Sequence, residues 1–151
     1  MKISDILTPA LIKPNLQSEE KEELFEEMVS LFTASGLLKN RQAALTALRE
    51  REGKMTTGIG GGLALPHGKL AEIDRLTIAL GISRKGVDYE AMDGRPVTLV
   101  IMVLAEARNP GPHIEALAEV SRLVSIPGFA DRLREAGSAT ELLDLIRRQE
   151  D

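Results

Sequence analysis

Residues 96–104 read Pro-Val-Thr-Leu-Val-Ile-Met-Val-Leu, a nearly continuous apolar run. A run of this kind is typical of a strand that is covered on both faces of a sheet. A second segment, residues 76–82, alternates apolar residues with others and predicts another strand. Gly86 and the pair Asp93-Gly94 mark turns in the stretch between them. The sequence therefore predicts a sheet with a deeply buried strand at 96–104.

Two helices are predicted before these strands. The first begins with Ser18 as its N-cap, has acidic residues in its first turn and ends at Gly36. The second runs from about Asn40 to Glu52 and stops at Gly53. Both carry apolar residues at helical spacing, which predicts that one side of each packs against the sheet.

The last third of the chain is also predicted to be helical. Helices are expected over residues 112–126 and 129–136, and a capping box of Ser138 and Glu141 begins a final helix that reaches about Arg148. Strands and helices in this order predict an α/β sandwich, in which helices cover both faces of a mixed β-sheet.

Weaker features complete the predicted fold. Residues 11–16 alternate weakly and predict a short strand, and the six glutamates between Glu19 and Glu27 are expected to form a solvated face.

The chain has 151 residues with 43% hydrophobic and 28% charged residues, which is normal for one globular domain. No repeat or linker divides it, so residues 1–151 are predicted to form a single domain.

Composition excludes several classes of function. The chain has no cysteine, which excludes disulfides, thiolate zinc sites, iron–sulfur clusters and cysteine nucleophiles. A net charge of −4 and 3% aromatic residues argue against nucleic-acid binding. No targeting segment and no membrane-spanning run is visible, so we expect a cytoplasmic protein without membrane insertion.

The glycine-rich stretch at 58–62 fails the familiar phosphate-binding motifs. Leu63 stands where a dinucleotide fingerprint needs its third glycine, and Leu70 follows Gly68-Lys69 where a P-loop needs Ser or Thr. Serine-hydrolase and zinc-protease motifs are absent, and the His113/Glu115 pair lacks the cysteines of a zinc deaminase.

The two histidines of the chain, His67 and His113, remain as candidates for chemistry. Neutral imidazole is a good nitrogen nucleophile near pH 7. No carboxylate occurs between Glu52 and Glu72 or between Glu106 and Glu115, the two windows that hold the histidines. In an acidic chain this pattern predicts an anionic guest, with a phosphoryl group as the obvious candidate.

The loop before His67 is predicted to cradle that anion. Its glycines allow successive N–H groups to converge on one point, and proline restricts the backbone before the histidine. The predicted loop residues are Thr57, Gly58, Gly60, Gly61, Gly62 and Pro66.

Each feature also has a purely structural explanation. His67 would then be a surface or capping residue, the glycines would only let the strand at residues 63–65 approach its neighbour, and Arg51 would be an ordinary solvated residue. Two histidines without nearby carboxylates make a poor metal site, so no metal is predicted.

Three separated motifs resemble a known family. Thr57-Gly58-Ile59-Gly60 followed by Gly62-Leu63-Ala64-Leu65-Pro66-His67 resembles the active-site signature of type 2 enzyme IIA domains of the bacterial phosphotransferase system. These are the fructose- and mannitol-type domains and the nitrogen-regulatory proteins. Arg51-Glu52 matches the family's Arg-Glu pair, and His113 matches its second active-site histidine. Leu63, Leu65 and Ile114 are modest departures from the usual residues.

The resemblance implies a phosphoryl carrier. His67 would accept a phosphoryl group on Nε2 from the histidine phosphocarrier protein, and His113 and Arg51 would flank and stabilise that group. The acceptor would be an enzyme IIB domain or a regulatory target, and no cofactor is implied.

Two other functions remain open from the residues alone. One is a regulatory docking module with the same fold and no catalysis, and the other is a phosphate or nucleotide binder that uses the loop from Gly58 to Gly62. Within the phosphotransferase system, the absence of membrane segments and of a fused partner domain favours the regulatory branch. A free-standing subunit for sugar uptake is the alternative.

Overall fold

The computed structural model describes residues 1–151 and contains a six-stranded mixed sheet. The strands are β1 (Ile12–Lys13), β2 (Gly58–Gly60), β3 (Leu63–Ala64), β4 (His67–Leu70), β5 (Thr77–Val87) and β6 (Val97–Glu106). Their order is β1-β5-β6-β3-β2, and β4 also pairs with β6. The pairs β5–β6 and β2–β3 are antiparallel, whereas β1–β5, β3–β6 and β4–β6 are parallel. No helix is both long and apolar enough to cross a bilayer.

Helices cover both faces of this sheet, which confirms the predicted α/β sandwich. They are α1 (Lys21–Ala34), α2 (Arg41–Lys54), α3 (Gly111–Val124), α4 (Phe129–Glu135) and α5 (Ala139–Glu150). The side chains of α1 and α2 form one apolar core with Val100, Met102 and Leu104 of β6. Those of α3, α4 and α5 form a second core on the other face of the same strand. The predicted burial of residues 97–104 on both faces is therefore confirmed.

Strands β3 and β4 share one edge of β6, because β5 occupies the other edge along its length. Leu63 pairs with Leu99 near the start of β6, and His67 pairs with Val103 near its end. Helix α2 packs closely on β4, since a Cβ added to Gly68 would lie 3.1 Å from the Cβ of Ala47. The free edge of β4 therefore lies between α2 and the helices of the opposite layer.

Several predicted helix and strand boundaries were wrong. Gly53 lies inside α2 rather than after it, because the helix continues to Lys54 and ends at the extended residue Met55. Strand β1 has two residues instead of the six predicted. The predicted cap of α5 is confirmed, since the Ser138 hydroxyl accepts a hydrogen bond from the Glu141 N–H at 3.1 Å.

Helix α1 begins later than predicted, and its glutamates do not all face solvent. Its N-cap is Glu20, not Ser18. The Ser18 hydroxyl instead donates to Glu27 at 2.6 Å, and the Gln17 and Ser18 amides donate to the same carboxylate. Lys13 forms an ion pair with Glu27 at 2.8 Å, and only 12% of the Glu27 side chain is exposed.

These contacts control the ionisation of Glu27. Burial acts to raise the pKa of Glu27, but the hydrogen bonds from Lys13, Ser18 and Gln17 outweigh it and lower the pKa from 4.5 to about 2. Glu27 is therefore a structural anchor for the segment before α1, and the prediction of a solvated residue was wrong at this position.

We predict that Glu27→Gln lowers the free energy of unfolding at pH 7 by about 1.5–3 kcal/mol, the usual contribution of hydrogen bonds to a charged group. The folded pKa lies below the unfolded value, so this stabilisation is complete above pH 4.5 and disappears as the pH falls to about 2. Urea unfolding at several pH values measures it. The exposed Glu26→Gln is the matched control, and an equal loss in both variants would contradict the assignment.

Candidate active site

The two histidines and Arg51 meet at the free edge of β4. His67 is the first residue of β4, Arg51 lies in the last turn of α2, and His113 is the third residue of α3. Together with Lys69 they line an open cleft of about 490 Å³. Residues from three separate parts of the chain therefore converge on one surface.

His67 is held with one ring nitrogen turned inward and the other toward the cleft. Its Nδ1 lies 2.9 Å from the carbonyl oxygen of Leu65, which accepts a hydrogen bond and so places the ring proton on Nδ1. Its Nε2 then carries the lone pair and accepts from the Nε–H of Arg51 at 3.2 Å. The arrangement presents an unprotonated Nε2 at the cleft, which is the form of imidazole that acts as a nucleophile.

His113 lies beside His67 with its side chain enclosed. The two ring centroids are 5.0 Å apart with an angle of 65° between the planes. His113 is only 6% exposed, and its buried Nε2 has no hydrogen-bond partner in the protein. A buried polar atom without a partner is costly, and the protein itself does not supply a partner for this nitrogen.

Both imidazoles are kept in the neutral form at pH 7. Burial lowers the pKa of His67, and the Arg51 guanidinium lowers it further, against an opposing effect of the Leu65 carbonyl. Burial also lowers the pKa of His113; protonation of the neighbouring His67 and the charge of Lys69 act in the same direction. Neutral rings surrounded by cations fit a site that receives an anion.

Cationic side chains dominate the cleft although the chain as a whole is acidic. Arg51, Lys54 and Lys69 line it, against a single carboxylate from Glu50. A second contact holds the Arg51 guanidinium, because its Nη1 donates to the carbonyl oxygen of Met55 at 2.8 Å. A phosphoryl group that entered the cleft would meet a guanidinium already in place.

Sequence reasoning missed a buried polar network directly behind Arg51. The Glu52 carboxylate, whose side chain is 7% exposed, accepts hydrogen bonds from Thr57 and Tyr89 and pairs with Lys21 at 3.2 Å. Burial acts to raise the pKa of Glu52, yet the Thr57 and Lys21 contacts lower it below its ordinary value. Burial raises the pKa of Tyr89, so its hydroxyl stays protonated. The available signals were the Arg51-Glu52 pair of the motif and Tyr89, the only tyrosine in the chain.

The structure does not bring the glycine loop to the histidines. Gly62 lies beside Thr98 at the start of β6, whereas His67 pairs with Val103. Four strand residues separate the positions where β3 and β4 begin, which is about 13 Å. Gly60, Gly61 and Gly62, which were expected to cradle the anion, therefore do not line the cleft that holds the two histidines and Arg51.

The glycine loop already binds a carboxylate of the protein itself, that of Asp93. The Gly61 N–H donates to the Asp93 carboxylate at 3.0 Å, and the Gly61 carbonyl accepts from Arg134. All three glycines have positive φ, a conformation that lets the loop close around Asp93. The nucleotide-binding alternative loses its principal feature, because that amide is already occupied.

The other predicted loop residues have structural positions near the site. Thr57 contacts Glu52, and Pro66 directly precedes His67 and accepts a hydrogen bond from the Val103 N–H at 3.0 Å. Gly58 leaves room for its neighbours, since an added Cβ would lie 2.8 Å from both Tyr89 and Ala91. No group of three or more potential metal ligands occurs in the protein.

Comparison with known proteins identifies the family of the chain. The sequence profile of the family described as "Phosphoenolpyruvate-dependent sugar phosphotransferase system, EIIA 2" matches residues 5–149. The chain belongs to this family. The profile spans the helix that carries Arg51, both histidines and the closing helices, so the resemblance noted in the sequence is confirmed.

Two relatives illustrate the range of sizes in the family. The PTS system fructose-specific EIIABC component of Bacillus subtilis is 41% identical over 150 residues, which cover 99% of this chain and 24% of that protein. The fructose-specific EIIA component of Haloferax volcanii is 35% identical over 149 residues, which cover 97% of both chains. This chain therefore spans about a quarter of the first relative and nearly all of the second.

Solved structures share the fold. Nitrogen regulatory protein IIA-Ntr from Neisseria meningitidis matches with a TM-score of 0.88 and 29% identity over 95% of this chain and 98% of that chain. Mannitol enzyme IIA from Escherichia coli, in a complex with phosphorylated enzyme IIB, matches with a TM-score of 0.77 and 20% identity over 94% and 97% of the two chains. At that identity the second likeness concerns the fold alone.

We predict that His67 is neutral at pH 7 with its proton on Nδ1, and that Arg51→Gln raises the pKa of His67 because a lowering charge is removed. Nitrogen-15 NMR titration of the side chains measures both the tautomer and the pKa. Arg49→Gln, on the same helix but paired with Glu22, is the control and is expected to leave His67 unchanged. An Nε2-protonated ring, or an unaltered His67 pKa in Arg51→Gln, would contradict this description of the site.

Proposed function

We propose that this protein is a phosphoryl carrier of the phosphotransferase system. His67 accepts a phosphoryl group from the phosphohistidine of the histidine phosphocarrier protein and passes it to a downstream acceptor. One observation carries the proposal: Nδ1 of His67 is engaged by Leu65, so the lone pair of Nε2 faces a cationic cleft between Arg51 and His113.

The transfer exchanges one nitrogen–phosphorus bond for another. The lone pair of His67 Nε2 forms the new bond to phosphorus, the bond to the donor imidazole breaks, and its electron pair returns to the donor nitrogen. The His67 proton stays on Nδ1, hydrogen-bonded to Leu65, so the attacking nitrogen needs no base to deprotonate it. Donor and acceptor are both imidazoles, and the step is therefore nearly balanced in free energy.

Arg51 and His113 would supply the charge stabilisation that phosphoryl transfer requires. The Arg51 N–H that now binds Nε2 would move to a phosphoryl oxygen as the lone pair is used. The unpartnered Nε2 of His113, in the tautomer that carries the ring proton there, would donate a hydrogen bond to a second oxygen. The first turn of α3, to which His113 belongs, adds the positive end of a helix dipole. The glycine amides at 60–62 have no part in this step.

Two classes of protein are candidates to accept the phosphoryl group from His67. The relative named EIIABC, which is 41% identical over this chain, supports an enzyme IIB domain as the acceptor. The likeness to nitrogen regulatory protein IIA-Ntr supports the second candidate, in which phosphorylation of His67 controls a regulatory target. Both candidates use the same chemistry at His67.

Incubation with phosphoenolpyruvate, enzyme I and the phosphocarrier protein tests the proposal by intact mass. We predict one added phosphoryl group that is lost in acid, as expected for a phosphoramidate. We expect no such group in His67→Ala, because the nucleophile is gone. A phosphoryl group that survives acid, or one that persists in His67→Ala, would rule out the proposed carrier.

The variant His113→Ala distinguishes the role of His113 from that of His67. We predict that the variant is still phosphorylated on His67 but transfers the group on the order of 10²-fold more slowly, the usual cost of one lost electrostatic donor. Rapid-quench kinetics of transfer to and from His67 measure it. Transfer at the wild-type rate would remove His113 from the mechanism, and complete loss of phosphorylation would assign it a larger role than charge stabilisation.

A further inference from the structure

The last turn of α2 is closed by one buried carboxylate. Glu52 lies next to Arg51, and its two oxygens accept the Thr57 N–H at 2.8 Å and the Thr57 hydroxyl at 2.6 Å. These bonds join the end of the helix to the residue that precedes β2. The four residues between Glu52 and Thr57 therefore form a closed turn.

That turn contains the group that holds Arg51. The Met55 carbonyl accepts from Arg51 Nη1 at 2.8 Å, while Nε of the same guanidinium reaches His67 Nε2 at 3.2 Å. A guanidinium is planar and rigid, so the position of one N–H determines where the others point. The direction of Arg51 toward His67 thus depends on where the turn places the Met55 carbonyl.

Tyr89 fixes the network from the interior. Its hydroxyl lies 2.6 Å from the Thr57 hydroxyl and 3.1 Å from Glu52, and the residue is fully buried. Its ring packs edge-on against Phe25 and under the ammonium group of Lys21, which also pairs with Glu52. The carboxylate is consequently held from α1, from the segment after β5 and from the turn itself.

We infer that Thr57 and Tyr89 are positioning residues for phosphoryl transfer: through Glu52 they hold the α2 turn, so that Arg51 points at Nε2 of His67. The inference rests on the proposed function for its kinetic consequence. It also gives Thr57 a role different from the phosphate contact expected from its place in the motif, because its hydroxyl is engaged by Glu52 and Tyr89.

Thr57→Val and Tyr89→Phe test the inference, because each removes a hydroxyl without changing charge. Besides burial, the Leu65 carbonyl and the charges of Arg51, Glu52 and Lys69 act on the His67 pKa, and neither substitution replaces any of these residues. We expect both variants to move the His67 pKa upward, as Arg51 loses its fixed direction. The rate of phosphoryl transfer from a saturating concentration of phosphorylated phosphocarrier protein is expected to fall by roughly 10- to 100-fold, because a small misplacement of a catalytic group costs about that much. Half-saturation should change by less than about twofold, because the cleft surface is intact.

Two controls separate positioning from general destabilisation. Thr57→Ser keeps the hydroxyl and is expected to retain both the wild-type pKa of His67 and the wild-type rate. Thr77→Val removes another buried threonine hydroxyl, one without a hydrogen-bond partner, and should alter neither. If Thr57→Val does not fold, Tyr89→Phe decides the question alone.

The outcomes are distinct. A wild-type His67 pKa and transfer rate in the hydroxyl-deletion variants would overturn the inference. Slower transfer with an unshifted His67 pKa and a changed half-saturation would also overturn it, since that pattern indicates damage to the docking surface. If the wild-type protein accepts no phosphoryl group, the proposed function fails, while the NMR titration still reports whether the network orients Arg51.

Discussion

The hydrogen bond between Nδ1 of His67 and the Leu65 carbonyl is the contact on which the site depends. It places the only ring proton on the inner nitrogen and leaves the outer nitrogen with its lone pair at the cleft. The chain keeps one register against β6 from β3 through Pro66 into β4, and the Pro66 carbonyl accepts a hydrogen bond from the Val103 N–H of β6. The backbone pairing fixes the segment that carries Leu65 and His67, and the Leu65 carbonyl sets the tautomer of the ring.

The free edge of β4 explains how distant residues meet at this ring. Helix α2 covers one face of the sheet and α3 the other, and both reach past the edge of β4, so Arg51 and His113 approach His67 from opposite layers. Gly68 allows α2 to pack closely enough for Arg51 to reach the ring. Burial from both sides keeps the imidazoles neutral, and the surrounding cations favour an anionic guest.

Sequence patterns predicted the layers of the fold and the family better than the surroundings of His67. The apolar run at 97–104 and the amphipathic helices were sufficient for the sandwich, and the motif around His67 was sufficient for the family. The role of Gly61 was not accessible, because its partner Asp93 lies 32 positions away and only tertiary pairing joins them. Glu52 resembled a surface residue for the same reason, since Thr57, Tyr89 and Lys21 bury it only in the folded chain.

The position of the phosphoryl group on the imidazole tests the central claim most directly. Phosphorus-31 and nitrogen-15 NMR of the isolated phosphorylated protein distinguishes the two ring nitrogens through their coupling to phosphorus. The structure predicts a single phosphoryl group on Nε2 of His67, with Nδ1 still protonated and bonded to Leu65. A group on Nδ1 of His67, or on either nitrogen of His113, would contradict the account.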